Sequence, residues 1–400
     1  MEIILFLYFS FLLGIGVIAS KNVNNISDYY VGGKKLNYWI AALSARSTGE
    51  SGWLLLGVTG MGAVMGLSAF WIVLGEVIGV FLSWHFMAAK FKNLTDRYNS
   101  ITVPDFLHSH FNAKTNTIRI IAATALSAFV VIYVSAQIDI TGKTFESFLG
   151  YNYYNGIFIG FGIVVAYIFS GGFLAVAWSD IFQGSLMFVA LLILPIVAYF
   201  QLPIDTNFLQ GLRDIDPSLL NIWGDGGFNL LNAFSVIGLL SIGIGFLGSP
   251  QVYVRFIAIR DSAEIKKGKI VAVLYTLITS SSAVVIGMLG RFMFTTSNQN
   301  PELALGVAGE NVLYLLLIDI MPNVIVGFYI AALLSAVMST VDSLLVVASS
   351  AVTRDFYQQI INPNADSQLL INLSKKVTLA LAFFALFVAI SVSILSPNRT

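Results

Sequence analysis

Three small residues in one apolar stretch have the spacing of a sodium site. Ala336, Ser339 and Thr340 stand at i, i+3 and i+4, so on a helix they place one main-chain carbonyl and two hydroxyls on the same face. Such neutral oxygens suit a hard cation, and we expect Na⁺ here. Serine and threonine also pack membrane helices together, which is the alternative for this motif. Asp342 extends the polar strip and is a candidate residue of the ion path.

A second apolar stretch, residues 38–59, is interrupted at Ser44–Trp53 by helix-breaking and charged residues. Residues 47–52 contain glycine, serine and threonine, whose low helix propensity favours local unwinding. Unwinding at bilayer depth would free main-chain carbonyls, which suit a cation that loses its hydration shell. Arg46 and Glu50 lie four residues apart, so a continuous helix would pair them. Arg46 is a candidate coupling residue; the alternative is that its side chain snorkels to the inner surface.

A matching interruption occurs five apolar stretches later, at Ser241–Pro250. Glycine, serine and proline at bilayer depth are tolerated where the freed backbone lines a cavity or finds protein partners. Paired interruptions in two halves of a chain indicate the binding site of a transporter.

Other polar residues inside apolar stretches are further candidates. Asp180 follows a glycine pair near the inner end of the sixth stretch, where it either lies on a cation route or marks the interface. Tyr133 and Gln137 in the fourth stretch either face the cavity or have structural roles.

The composition identifies an integral membrane protein. Of the 400 residues, 57% are hydrophobic and 10% charged, whereas soluble domains carry about 25% charged residues. Acidic and basic residues balance at 21 each, so no basic patch indicates a nucleic-acid partner. The chain has no cysteine and three histidines, and no set of nucleophile, base and orienting group indicates an enzyme.

Ten apolar stretches are long enough to cross a bilayer, which takes about 20 residues each. They cover residues 3–20, 38–59, 65–89, 120–142, 152–170, 174–200, 229–252, 269–294, 321–348 and 375–396. Glu2 stands where a signal peptide would be basic, so we interpret the first stretch as a retained span. Sixteen of the 21 Lys and Arg residues, Arg255 among them, fall on one side of this arrangement, which predicts an external N-terminus.

Seven short blocks follow one another along the chain, at Tyr29–Lys34, Ala42–Ala45, Ser51–Leu55, Val103–Phe106, Gly171–Val176, Gly248–Pro250 and Ala336–Thr340. Together they resemble the sodium:solute symporter family, nearest to its bacterial sodium/proline carriers. The resemblance implies an all-α, LeuT-like bundle of two inverted five-helix repeats after one extra N-terminal helix. It would form one transmembrane domain over 1–400, with the extra helix at 3–20, a first repeat at 38–200 and a second at 229–396.

The resemblance also implies a function. It is sodium-coupled import of a small polar solute, such as the amino acid proline, by alternating access across a bacterial-type inner membrane. Sodium is the expected coupling ion, and the solute and the lipid bilayer are the expected partners, with no obligate protein partner.

The resemblance further assigns site residues. Main-chain carbonyls of Ser47 and Glu50 would join Ala336, Ser339 and Thr340 around sodium. The solute would contact the two broken helices and the fourth span, at Ser51, Gly52, Trp53, Tyr133, Ile242, Phe246 and Pro250. From its place in the fourth span, Gln137 is a further candidate for solute contact.

Three departures from the proline carriers leave alternatives open. Gly49 replaces an aspartate important for sodium, with Glu50 next to it, and Ile242 and Phe246 replace a tryptophan and a tyrosine. The second repeat is expected to be one helix short, as in a fragment, a truncated product or a chain completed by a partner. The rival functions are therefore a non-transporting solute sensor or inactive remnant, and a proton-coupled symporter in which Glu50 or Asp180 titrates.

Overall fold

A computed structural model describes residues 1–297 and 299–395, with side chains at all but positions 167, 169 and 170. The predicted last span and second repeat end at residue 396, which lies outside the described residues. Apart from one isolated β-bridge between Leu36 and Ile259, the regular structure of the described residues is helical.

Seventeen α-helices follow one another in the described residues. The first nine are α1 (Glu2–Ser20), α2 (Ile26–Val31), α3 (Tyr38–Trp53), α4 (Thr59–Met65), α5 (Phe70–Leu82), α6 (Ala88–Arg97), α7 (Val103–His110), α8 (Thr117–Leu149) and α9 (Tyr153–Phe200). The others are α10 (Phe208–Ile215), α11 (Leu230–Ile244), α12 (Pro250–Ala258), α13 (Ser262–Phe294), α14 (Pro301–Leu305), α15 (Val312–Ile320), α16 (Asn323–Ser350) and α17 (Ser367–Leu395). Short π-helical stretches join α3 to α4 and α5 to α6, and another extends α16 to Ile361.

Eight helical stretches in the described residues are long and apolar enough to cross a membrane. They are Glu2–Ser20, Tyr38–Arg97, Thr117–Leu149, Gly171–Phe200, Leu230–Gly248, Ser262–Phe294, Asn323–Ile361 and Ser367–Leu395. The 14 residues of Tyr153–Ala166 form a shorter apolar helix. A chain of this kind is a multi-pass membrane protein.

The stretch Tyr38–Arg97 reverses its direction at Gly66. Before Gly66, Glu50 contacts Thr279 of α13, and a Cβ on Gly62 would lie 2.4 Å from the Val284 carbonyl, further along α13. After Gly66, Glu76 contacts Ser280 and Trp84 packs on Gly268, earlier in α13. The chain thus runs along α13 in opposite directions before and after Gly66. Gly66 permits the turn because its φ is +58°, and a Cβ there would lie 2.1 Å from the Leu219 carbonyl.

A second reversal divides α9 at Gly172, whose φ is +55° and ψ −147°. Just before α9, Tyr151 donates a hydrogen bond to Glu2 at the start of α1, and next to the reversal Gly171 packs beside Ala19 at the end of α1. Further along, Gln183 donates a hydrogen bond to Tyr8 near the start of α1. The two parts of α9 therefore run in opposite directions along α1. The sequence predicted separate spans here, at 152–170 and 174–200.

Helix α13 begins earlier than its apolar stretch predicted, because a capping residue starts it outside the apolar zone. Helix α13 starts at Ser262, and the span was predicted from residue 269. The side chain of Asp261 accepts hydrogen bonds from the main-chain N–H groups of Ala263 and Glu264, which lower the pKa of this exposed carboxylate. This N-cap fixes the first turn of α13.

Candidate functional site

An oxygen cluster joins α3 to α16 deep inside the bundle. The Ser339 hydroxyl donates to the Ser47 carbonyl at 3.0 Å, and the Thr340 hydroxyl lies 3.1 Å from the Thr48 carbonyl and 2.9 Å from the Ala336 carbonyl. The Thr48 hydroxyl donates to the Ser339 carbonyl at 2.9 Å. All five residues are at most 1% exposed. Carbonyl and hydroxyl oxygens from two helices therefore converge, and Ala336, Ser339 and Thr340 contribute from one face of α16.

Glu50 does not contribute its carbonyl to this cluster. Its main-chain oxygen accepts the N–H of Leu54, in a helical hydrogen bond, and its carboxylate accepts from Arg46 and Thr279. Thr48 supplies the second α3 carbonyl instead. The reason is that α3 stays helical through Glu50 and departs from helical geometry at Ser51 alone, with φ +51° and ψ −179°.

Arg46 points inward and does not snorkel. Its side chain is 2% exposed and lies 2.8 Å from Glu50 as an i,i+4 ion pair. The guanidinium also lies over the ring of Phe246, at 4.9 Å from the ring centroid. The alternative of a solvated Arg46 at the inner surface is therefore wrong.

The second helix interruption has the predicted position. Helix α11 ends at Ile244, a 3₁₀ turn covers Gly245–Gly248, and Ser249 is extended before Pro250 starts α12. A proline at the first helical position is favourable because its missing N–H has no partner to lose.

A cavity of about 950 Å³ lies between the two interrupted helices and α8. Seven of the eight residues predicted to contact the solute line it, namely Ser51, Trp53, Tyr133, Gln137, Ile242, Phe246 and Pro250. The eighth, Gly52, lies behind the wall, where its N–H donates to the Gln137 side-chain oxygen at 3.1 Å. The Tyr133 hydroxyl donates to Ser51 at 3.0 Å.

The model of the sodium:solute symporter family matches residues 29–395. The chain belongs to the sodium:solute symporter family. The resemblance inferred from the sequence motifs is confirmed.

Curated relatives of this family member are similar along most of its length. The high-affinity proline transporter PutP of Bacillus subtilis (strain 168) is 34% identical, over 94% of this chain and 78% of the relative. The sodium/proline symporter of Escherichia coli (strain K12) is 31% identical, over 94% of this chain and 74% of the relative. These proteins are named as transporters, in agreement with the prediction of a transporter rather than an enzyme.

A solved structure shares the fold of this symporter-family chain. It is a Na⁺-coupled sialic acid symporter in a substrate-bound, outward-open state, with a TM-score of 0.84, 21% identity, and coverage of 98% of this chain and 82% of that chain. The predicted class, an all-α membrane transporter bundle, agrees with this likeness.

Asp180 lies away from the cavity, in a buried polar network. Arg255 of α12 donates to Asp180 of α9 at 2.9 Å, to Ser44 of α3 at 2.9 Å and to Ser343 of α16 at 2.5 Å. Asp180 and Arg255 are both fully buried. The assignment of Arg255 to an inner loop was wrong, since it lies inside α12 and ties four helices together. Asp342, next to Ser343, is fully buried and does not line the cavity.

Sequence reasoning missed a second carboxylate of the site. Glu76 of α5 lines the cavity together with Glu50, is 3% exposed and accepts a hydrogen bond from Ser280 at 2.5 Å. The available signal was a single acid inside the apolar run Phe70–Leu82, because an ionisable residue within a membrane span indicates a functional site.

Proposed function

We propose that this protein is a Na⁺-coupled symporter that imports a small amino acid, proline or a close analogue, by alternating access. Membership in the sodium:solute symporter family supports sodium coupling, and the names of the curated relatives support proline. The observation that carries the proposal is the oxygen cluster between α3 and α16, beside a cavity lined by both interrupted helices.

The oxygen cluster supports a sodium site because its hydroxyl groups can turn from their present hydrogen bonds to bind a cation through oxygen. Hydroxyls of Ser339 and Thr340 now donate to main-chain carbonyls; turned by rotation about the C–O bond, the same hydroxyls would present lone pairs to a cation. Na⁺ between α3 and α16 would favour the arrangement of these helices in which the oxygens surround it. A ligand shifts a conformational equilibrium only through such differential affinity.

The cavity suits a solute that carries a carboxylate. The first turn of α12, at Pro250 and Gln251, borders it, and the N-terminus of a helix carries partial positive charge that favours a carboxylate. Trp53 and Phe246 supply ring surfaces, while Tyr133 and Gln137 supply hydrogen-bonding groups. This combination suits a small ring with one acidic group.

For the topology, we propose ten crossings with the N-terminus outside, in a single domain over residues 1–400. The reversals at Gly66 and Gly172 support two crossings within 38–97 and two within 153–200. Together with the helix at 3–20 they support the division into repeats at 38–200 and 229–396. The bias of Lys and Arg supports the inner-membrane orientation.

The test is uptake of radiolabelled proline into proteoliposomes that contain the full chain. We expect accumulation that requires an inward Na⁺ gradient and collapses when the gradient is dissipated. Uptake that follows a pH gradient and ignores Na⁺ would support proton coupling instead. Solute binding without uptake under either gradient would support a sensor.

A further inference from the structure

Two carboxylates from different helices meet on the cavity wall. Glu50 of α3 and Glu76 of α5 both line the cavity, and they are 4% and 3% exposed. Consecutive residues of α13 hold them: Thr279 donates to Glu50 at 3.0 Å and Ser280 donates to Glu76 at 2.5 Å. The two acids are thus neighbours, at a depth where an ionised group needs compensation.

The protein supplies these two carboxylates with too few hydrogen bonds and too little positive charge to compensate for their burial. Arg46 bonds one oxygen of Glu50, while the other, Oε2, is buried and has no hydrogen-bond partner within the described part of the chain. Glu76 receives its hydrogen bond from a neutral hydroxyl. The wall therefore offers two carboxylates against one guanidinium, and a buried acceptor without a donor is unfavourable until a ligand supplies one.

We propose that Glu50 and Glu76 form an anionic subsite that holds the protonated amine of the solute. This inference rests on the proposed transport function and specifies its substrate class: solutes with a charged primary or secondary amine. An ammonium N–H would satisfy Glu50 Oε2, and its charge would balance the surplus carboxylate.

The surroundings favour an organic ammonium over a second small metal ion. The guanidinium of Arg46 lies against Glu50 and the ring of Phe246 lies behind that guanidinium, and neither group is a ligand of a hard metal ion. A hard metal ion takes about six oxygens, whereas an ammonium group needs two or three acceptors. The cavity of about 950 Å³ also has room for an organic solute.

The test measures thermal stabilisation of the purified, full-length wild-type chain by a panel of solutes, with and without Na⁺. The panel contains proline and pipecolic acid, which carry a charged secondary amine, and N-acetylproline and cyclopentanecarboxylic acid, which do not. We expect N-acetylproline and cyclopentanecarboxylic acid to bind at least about 30-fold more weakly than proline. Removing one partner of a buried charge pair weakens binding by about this factor or more.

Two variants refine the test. Glu76→Gln should reduce the preference for charged amines about tenfold or more, while the Na⁺ concentration for half-maximal stabilisation stays unchanged. Glu146→Gln, an exposed acid near the far end of α8, is the matched control and should leave the preference intact.

The outcomes separate the two proposals. Equal binding of proline and N-acetylproline by the wild-type chain overturns the amine subsite, even where Na⁺-driven uptake is observed. A Glu76→Gln variant that shifts the Na⁺ requirement and keeps the amine preference also overturns it, in favour of a metal-ion site. Amine-selective binding without Na⁺-driven uptake keeps the subsite and overturns the transport function; a panel in which no solute binds overturns both.

Discussion

Ser339 and Thr340 illustrate how a few residues decide function at the residue scale. Each hydroxyl bonds a carbonyl of α3, so each links two helices that lie almost 300 residues apart in the chain. Because both side chains are fully buried, neither exchanges its partner for water. The pair is therefore a direct means to test whether ion binding and helix contact depend on the same oxygens.

Replacing both hydroxyls tests the sodium site. We expect Ser339→Ala with Thr340→Ala to raise the Na⁺ concentration needed for half-maximal uptake about tenfold or more, because two oxygen ligands are lost. The measurement is Na⁺-dependent proline uptake, with membrane insertion checked in parallel. Ser185→Ala removes an exposed hydroxyl of α9 that bonds its own helix and should have no effect. Unchanged sodium dependence in the double variant would refute the site.

The buried pair of Arg46 and Glu50 predicts a specific stability pattern. Arg46→Ala leaves a buried carboxylate without its charge partner, so we expect a loss of about 3 kcal/mol or more in unfolding free energy. Replacing both residues by methionine should restore most of it, because no lone charge remains.

Unfolding of detergent-solubilised protein measures this effect, and a surface pair provides the control. Arg260 pairs with Glu264 at 2.9 Å with its side chain 59% exposed, so Arg260→Ala should cost less than about 1 kcal/mol. A loss for Arg46→Ala no larger than this would contradict the buried-pair interpretation.

At the scale of elements, each helix interruption places specific groups at the cavity. Ser51 has φ +51°, a conformation that costs a residue with a Cβ about 1–3 kcal/mol and persists where the surroundings hold it. Two bonds hold it here: Tyr133 donates to the Ser51 hydroxyl at 3.0 Å, and the Trp53 N–H donates to it at 3.2 Å. Between helices, glycines position neighbouring elements in a different way: without a side chain, they let two backbones come into close contact.

The contact of α5 with α11 depends on such glycines. A Cβ on Gly243 would lie 1.9 Å from the main chain of Gly75, whereas a Cβ on Gly238 of the same helix would meet nothing within 4 Å. We expect Gly243→Ala to separate the helices and to cost about 3 kcal/mol, with little folded protein in the membrane. Gly238→Ala should be neutral or slightly stabilising. Equal yields and melting temperatures of the two variants would contradict the close backbone packing of α5 on α11.

At the scale of the whole molecule, the cavity extends from the polar centre of the bundle toward one of its ends. The cavity reaches from Ser51 along α8 to Ala125 and along α16 to Leu344. Thr117 at the start of α8 and Ile361 at the end of the α16 extension mark the end of the bundle toward which it extends. That end carries the basic loops. A solute that leaves the site by this route would therefore enter the cytoplasm in the proposed orientation.

Labelling of single cysteines tests this orientation, because the chain has none of its own. Asp205 and Asn364 are exposed in loops on opposite sides of the proposed membrane. A membrane-impermeant maleimide should label Asp205→Cys in intact cells, and Asn364→Cys only after permeabilisation. Labelling in the reverse order would place the N-terminus inside.

Much of the architecture follows from local sequence patterns. Apolar length predicts spans because a bilayer has a fixed thickness, and the density of glycine, serine and proline predicted both interruptions. The i, i+3, i+4 spacing likewise placed Ala336, Ser339 and Thr340 on one face, since helical periodicity is a property of neighbours in sequence.

Tertiary structure alone decided which partners those residues meet. Thr48 rather than Glu50 supplies the second α3 carbonyl, Ser280 meets Glu76, and Arg255 lies buried against Asp180. Each contact joins helices more than 70 residues apart in the chain. A local sequence pattern indicates that a buried polar residue needs a hydrogen-bonding or charged partner. Which partner it meets depends on how the helices pack, and in the low-dielectric interior that pairing strongly affects stability.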